Sequence, residues 1–176
     1  MIELMEAALE RARLLAGTDE VAGELVTYLE RHLVEEMHHE QPGGAILDDL
    51  EAVGVDGAAL VEASASDKIA TLVSLEHFWI RERHPIAVLG FLELEAHHTR
   101  LPVVEQLIAR TGLPRAGFHQ LLLHARLDAA HGAQLHRLLD SLPLTPTQEQ
   151  LVGLSALTTL RLVAEALLET LDRAER

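Results

Sequence analysis

Histidines and carboxylates fall at helical spacing in three segments of this chain. His124, Asp128 and His131 stand at i, i+4 and i+7. On a helix turning about 100° per residue they share an arc of roughly 60°. Leu121, Leu135 and Leu138 mark that stripe as a core-facing one. Two imidazoles and a carboxylate in a core are costly unless they are paired or coordinated. A hydrogen-bonded His–Asp core is one reading, and metal coordination is the other.

The second segment is His32-Leu33-Val34-Glu35-Glu36-Met37-His38-His39-Glu40. Val26, Leu29 and Leu33 lead into Glu36 on one face, and His39 follows at i+3. One helix can therefore offer both Glu36 and His39 to a metal. This Glu-x-x-His spacing recurs in carboxylate-bridged di-iron sites of helical bundles, although an exposed ion pair also explains it. Glu35 and His32 stand beside Glu36 as alternatives for the first ligand. The third segment carries Glu95, with Val88 and Leu92 before it at i−7 and i−3. That register turns Glu95 inward, unless Glu93 and Glu95 together form an exposed edge. His98 adds a second Glu-x-x-His.

The candidate metal ligands are thus Glu36, His39, Glu95, His124, Asp128 and His131. Three imidazoles and three carboxylates suit iron, with manganese or zinc as substitutes. Glu36, Glu95 and Asp128 are the carboxylates expected to act in catalysis. No GxSxG elbow, P-loop or glycine-rich dinucleotide turn is present. Haem would need an axial histidine in a largely apolar pocket, and the carboxylates beside each histidine argue against it.

The elements that must position these groups are helical. Leu, Ala and Glu dominate, and apolar residues recur at three and four. The pattern predicts helices at about 2–16, 19–40, 45–54, 67–82, 84–99, 102–111, 114–141 and 146–174. Asp19, Asp67 and Thr145 stand at N-cap positions, and Pro114 and Pro146 suit first turns. Breaks fall at 41–44, 54–66, 83–85 and 141–143. In the closing helix, Leu151, Leu154, Leu157, Leu160, Val163, Leu167 and Leu171 form an apolar stripe without imidazole, expected to be plain core. Phe78, Trp79 and Phe91 are the aromatics expected near a pocket. With so few aromatics, such a pocket would suit an aliphatic or amino-acid-like substrate.

With 176 residues the chain has room for one domain, 1–176, and no segment reads as a linker. A formal charge of −14 disfavours nucleic acid and anionic membranes as partners. Cysteine is absent, so disulfides, thiolate metal sites and cysteine nucleophiles are excluded. The first residues lack the apolar core of a signal peptide, and no apolar run approaches the roughly 20 residues that cross a bilayer. A cytoplasmic location is the expectation.

The chain resembles the haem-oxygenase-like di-iron oxidases, or iron-containing redox enzymes, from about Tyr28 to Ala164. The carriers are the segment 32–39, Leu47-Asp48-Asp49-Leu50 with Val53-Gly54, His84-Pro85 through Leu89-Gly90 to Leu94-Glu95, and His124-Ala125-Arg126-Leu127-Asp128-Ala129-Ala130-His131. The resemblance implies an all-α, haem-oxygenase-like seven-helix bundle, usually dimeric, so a homodimer is expected. It implies two Fe(II) ions on the matching residues, one of them often labile. Oxygen would be the co-substrate, activated at a diferrous centre to oxidise a small molecule by C–C cleavage, alkene formation or N-oxygenation. His98 is not part of the family's pattern. Two rivals remain: a ferritin-like di-iron protein using Glu36-x-x-His39 and Glu95-x-x-His98, and a non-enzymatic haem-oxygenase-like binding or accessory module.

Overall fold

The computed structural model describes residues 1–39, 45–57, 59, 62, 65–97 and 99–174, and within its helices the side chains at 38, 39, 45, 128, 129, 173 and 174 fall outside that description. Among the described residues there are eight α-helices and no strand: α1 (Ile2–Leu15), α2 (Glu20–His39), α3 (Ala45–Ala52), α4 (Asp67–Phe78), α5 (Ala87–Ala96), α6 (Leu101–Thr111), α7 (His119–Ser141) and α8 (Pro146–Ala174). A π-helical turn, Trp79–Arg83, extends α4, and a 3₁₀ turn, Arg115–Phe118, precedes α7.

Local chemistry sets most of these boundaries. Asp19 caps α2, its Oδ1 accepting from the Ala22 N–H at 2.9 Å. Burial opposes ionisation of Asp19, but the Ala22 N–H and His84 outweigh it and hold its pKa below the usual value. Thr145 and Gln148 form a capping box on α8: the Thr145 N–H donates to Gln148 Oε1 (2.9 Å) and the Gln148 N–H donates to Thr145 Oγ1 (3.3 Å). The expected cap Asp67 is corrected by one residue. Ser66 has the extended backbone of a cap and accepts from the Ile69 N–H, while Asp67 is the first helical residue. His84, preceding Pro85, is forced to extended backbone and ends the π turn. Its Nδ1 accepts from the Ile86 N–H, so Nε2 carries the proton and donates to Asp19 Oδ2 at 3.1 Å. That bond ties the start of α2 to the start of α5. Gly112 closes α6 with φ 66°, a left-handed cap only glycine takes without strain.

Helix α5 runs through the centre, with Ala87, Val88, Leu89, Gly90 and Leu92 all buried. Leu4, Met5 and Ala8 of α1, Leu25 and Leu29 of α2 and Leu135 of α7 complete the core around it. Glycine lets two neighbours approach closely. A Cβ on Gly90 would lie 2.3 Å from the Val152 carbonyl oxygen of α8, and a Cβ on Gly132 of α7 would lie 2.7 Å from Ala96 Cα of α5. At the far end, buried Asp49 of α3 accepts from the Gln120 N–H at 2.7 Å and so caps α7 from a distance.

Two expectations about buried faces are corrected. Leu121 is 40 % exposed, because the first turn of α7 lies outside the core that Leu135 enters. More extensive is α8. Leu154, Leu157, Leu160, Leu167 and Leu171 of the expected core stripe are 38–72 % exposed. The face of α8 that meets the bundle instead carries Ser155, Thr159 and Leu162. Small residues are required there, because the α5 backbone at Gly90 lies against Ser155 and Ala156. Nor is the sequence free of a long apolar helix: Pro146–Asp172 is long and apolar enough to cross a membrane by length and composition, with 22 % of its most apolar window buried.

Behind α8 lies a fully buried carboxyl, Glu76 of α4, whose Oε1 accepts from Ser155 Oγ (2.9 Å) and Thr159 Oγ1 (3.3 Å). Burial pushes Glu76 up to about 7, although the two hydroxyls favour the ionised form. The unfolded chain sheds this proton near the ordinary carboxylate value, whereas the folded chain keeps it until about pH 7. The contribution is therefore fully present below about pH 4.5 and is lost as pH rises through 7, a change of up to about 3 kcal/mol. Glu76→Gln, neutral at every pH, should melt above the wild type at pH 8 and converge with it near pH 5. A difference in Tm that does not vary with pH would contradict this account.

Candidate metal centre

Four of the chain's nitrogen and oxygen donors converge in the bundle. His32 and Glu36 come from α2, Glu95 from α5 and His131 from α7, and one ligand atom from each lies within 4.8 Å of the others. On α2, the i, i+4 pair His32 and Glu36 continues the inward face of Leu25 and Leu29, and both are essentially without solvent exposure. Glu95 sits near the C-terminus of α5, directly after the buried run that fixes this helix. His131 is presented by the part of α7 that Gly132 brings against Ala96. This close contact between α5 and α7 sets the distance between Glu95 and His131.

Contacts within the group are short. His32 Nε2 lies 3.3 and 3.2 Å from the two oxygens of Glu95. His131 Nδ1 lies 3.3 Å from Glu36 Oε1 and 3.7 Å from Glu95 Oε2. The two imidazoles meet edge to face at 5.0 Å. Glu35 stands at the margin, one-third exposed, its Oε2 3.8 Å from His32 Nδ1 and 3.9 Å from His131 Nε2. Burial opposes a charged His32, but the Glu95 hydrogen bond and the charges of Glu95, Glu36 and Glu35 outweigh it and raise its pKa.

Tyr28, one turn before His32, stacks on its ring at 5.2 Å and 20° and so fixes the imidazole plane. Burial first, then the charges of Glu95, Glu35 and Glu36, push the Tyr28 phenol up, and Arg31 opposes them. Tyr28 also lines a cleft of about 290 Å³ between α2 and α7, whose walls include Thr27, Arg31, Gln134 and Arg137.

Of the residues singled out by spacing, Glu36, Glu95 and His131 are brought together, and His32 joins them. The side chains of His39 and Asp128, and the whole of His98, lie outside the described residues. His124 is half-buried on α7 and is not among the described donors that converge. The aromatics are placed otherwise than expected. Trp79 is core, Phe78 is 46 % exposed beneath the Arg83 guanidinium, and Phe91 packs against the core. Tyr28 is the aromatic at the site. Its signal was its place four residues before His32 on the inward face.

Two buried carboxylates this close repel unless a cation or protons stand between them. Two imidazoles and two carboxylates are a donor set that suits divalent first-row metals, iron included. The residues therefore fit an iron ion.

A family model described as iron-containing redox enzyme matches residues 12–164. Among solved structures, the chain is similar to a crystal structure of a domain of unknown function with a heme oxygenase-like fold from Shewanella denitrificans OS217. The two are 16 % identical, with a TM-score of 0.73 over 99 % of this chain and 78 % of that one. The fold is thus haem-oxygenase-like, as the resemblance implied, with eight α-helices among the described residues where seven were expected. No protein of curated function matches the sequence.

Proposed function

This chain belongs to the family of iron-containing redox enzymes, and from that premise we propose that it is a non-haem di-iron oxidase or oxygenase that uses O₂ to oxidise a small molecule. The observation that carries the reading is the convergence of His32, Glu36, Glu95 and His131 from three helices within 4.8 Å. Carboxylates that can bridge, with further donors along α2 and α7, allow two Fe(II) ions. Iron held there would supply the one-electron steps that O₂ reduction needs.

The chain's own residues do the rest. Glu36 and Glu95 provide the negative charge that selects a divalent cation. The contacts of Glu95 with His32, and of Glu36 with His131, hold both imidazoles in place before any ion arrives. Tyr28 keeps the plane of His32 fixed. The apolar wall from Val88 to Leu92 excludes water from the inner side. The cleft beside Tyr28 is the proposed substrate entrance. Its Arg31 and Arg137 suit a carboxylate end and so favour an amino-acid-like substrate over a plain aliphatic one.

The ferritin-like reading takes no ligand from α7, and the approach of His131 to Glu36 and Glu95 weighs against it. The accessory-module reading loses ground to a buried donor set that an inert bundle would not need. Anaerobic Fe(II) loading followed by O₂ exposure tests the proposal: saturation at two ions per chain and stoichiometric O₂ uptake are expected. Saturation at one ion would remove the dinuclear claim, and no O₂ uptake would remove the oxidase claim.

Metal should also stabilise the fold. An ion bound only by the native state contributes roughly 2.7 kcal/mol at a hundredfold excess over Kd. For a chain of this length that is a rise in Tm of roughly 5–11 °C. Fe(II) under argon, or Mn(II) in air, should give it. Asp128→Ala should lose most of the rise if Asp128 is a ligand, and His98→Ala should keep it. A melting curve indifferent to both metals would return the cluster to a hydrogen-bonded core.

A further inference from the structure

Glu35 is outside the four-donor group, yet it faces both of its imidazoles. The inward nitrogens are His32 Nε2, against Glu95, and His131 Nδ1, against Glu36 and Glu95. The outer nitrogens of the two rings turn toward one atom: Glu35 Oε2 lies 3.8 Å from His32 Nδ1 and 3.9 Å from His131 Nε2. His32 Nδ1 and Glu35 Oε2 are both buried and have no hydrogen-bond partner among the described residues. A gap of 3.8 Å exceeds a hydrogen bond. It is also too short for a bridging water, which needs roughly 4.5 Å or more between its two partners. Glu35 is the side chain that can close it, being long and one-third exposed, whereas His32 is fully buried and stacked on Tyr28. On the other side of the carboxyl, Oε1 lies 3.9 Å from Arg31 Nε, and Arg31 donates to Gln134 of α7 at 3.2 Å. Arg31 therefore draws one oxygen toward the cleft and leaves the other to the imidazoles.

We propose that Glu35 is a positioning residue of the metal centre: its Oε2 accepts the outer N–H of His32, with that of His131 beside it, and so fixes the tautomers that turn a ring lone pair toward the ion. The inference rests on the iron site proposed above and assigns Glu35 a place outside the ligands. An ionised Glu95 can only accept, so His32 Nε2 carries the proton shared between them in the structure. A nitrogen that ligates a metal cannot keep its proton, so the neutral ring of a ligating His32 carries it on Nδ1. That N–H is buried, and a buried donor left without an acceptor disfavours the state that exposes it. The acceptor facing it is Glu35 Oε2. One carboxylate oxygen has two lone pairs, enough for both rings. Carboxylates commonly orient metal-bound imidazoles in this way and raise their basicity. Sequence spacing leaves Glu35 and Glu36 as rivals for one ligand position. The structure separates them, because Glu36 meets the inward nitrogen of His131 and Glu35 the outer one.

Mn(II) affinity and histidine NMR of the Zn(II)-loaded full chain test this together. In the wild type, long-range ¹H–¹⁵N correlation should show His32 protonated on Nδ1 and metal-bound through Nε2, with His32→Gln giving the assignment. Glu35→Ala should leave metal-free melting and circular dichroism near those of the wild type. It should weaken Mn(II) binding by about 10–100-fold and lose the protected Nδ1 proton to solvent exchange. Glu35→Gln, whose amide oxygen still accepts an N–H, should recover most of that affinity and keep the Nδ1 proton. Equal loss in Glu35→Gln and Glu35→Ala would make Glu35 a direct ligand through its charge and overturn the proposal. Glu35→Ala that binds like the wild type, with the Nδ1 proton still protected, would overturn it as well. A wild type that binds neither ion would instead remove the metal centre itself, and the proposal with it.

Discussion

Glu95→Ala is expected to abolish saturable Fe(II) binding, weakening it by at least about a hundredfold. Loss of groups that merely orient ligands already costs 10–100-fold in metal sites, and Glu95 stands closer to the proposed ions than that. Both imidazoles approach it, at 3.2 Å from His32 and 3.7 Å from His131, nearer than either comes to Glu35. The apoprotein should tolerate the change. Removing one of two neighbouring carboxylates relieves repulsion, while His32 loses its partner, so the opposing effects largely cancel. Wild type and Glu95→Ala should then melt within a few degrees of each other without metal, and separate by the full metal-induced rise when Mn(II) is added. Equilibrium dialysis under argon gives the affinity. Retained Fe(II) affinity would mean that Glu95 serves only to anchor His32. Glu95→Gln, which keeps the volume and removes the charge, should bind iron nearly as poorly, because charge rather than shape selects the cation.

Gly90→Ala should be strongly destabilising for the addition of a single methyl group. The new Cβ would lie 2.3 Å from the Val152 carbonyl oxygen and 2.7 Å from the Ala156 nitrogen. Both are backbone atoms of α8 that no rotamer change can move. Relief requires α5 and α8 to separate, which opens the packing around Val88, Leu89 and Leu92. Overpacking of well-filled cores costs about 1–3 kcal/mol, and a backbone clash on the central helix belongs at or above the upper end. Denaturant unfolding should report a loss of about 3 kcal/mol or more. Gly23→Ala is the control. Its Cβ would meet nothing nearer than 3.8 Å inside α2, so the better helix propensity of alanine should stabilise by about 0.5–1 kcal/mol. Because Glu95 rides on α5, Gly90→Ala should also weaken Fe(II) binding even under conditions where the chain remains folded. Equal stability for Gly90→Ala and wild type would show that the α5–α8 crossing is looser than the structure has it.

What the sequence determined by itself is mostly local or periodic. Helix starts at Asp19 and Thr145 were legible because a capping side chain acts within three residues, and the break at His84-Pro85 because proline restricts its neighbour. The inward register of Glu36, Glu95 and His131 followed from the apolar residues spaced before each. His32 was in view only as an alternative. Spacing on one helix offers Glu36 both an i+3 partner, His39, and an i−4 partner, His32, and which imidazole meets Glu95 depends on how α2 and α5 are set together.

Only the tertiary structure decided which face of α8 is the core. A leucine stripe shows that a face is apolar but not that the bundle covers it. Here the covered face is the one with small and hydroxylated residues. Gly90 brings the α5 backbone too close for leucine, and the buried carboxyl of Glu76 needs the hydroxyls of Ser155 and Thr159. Those demands come from residues more than sixty positions away, and no window of sequence around α8 contains them.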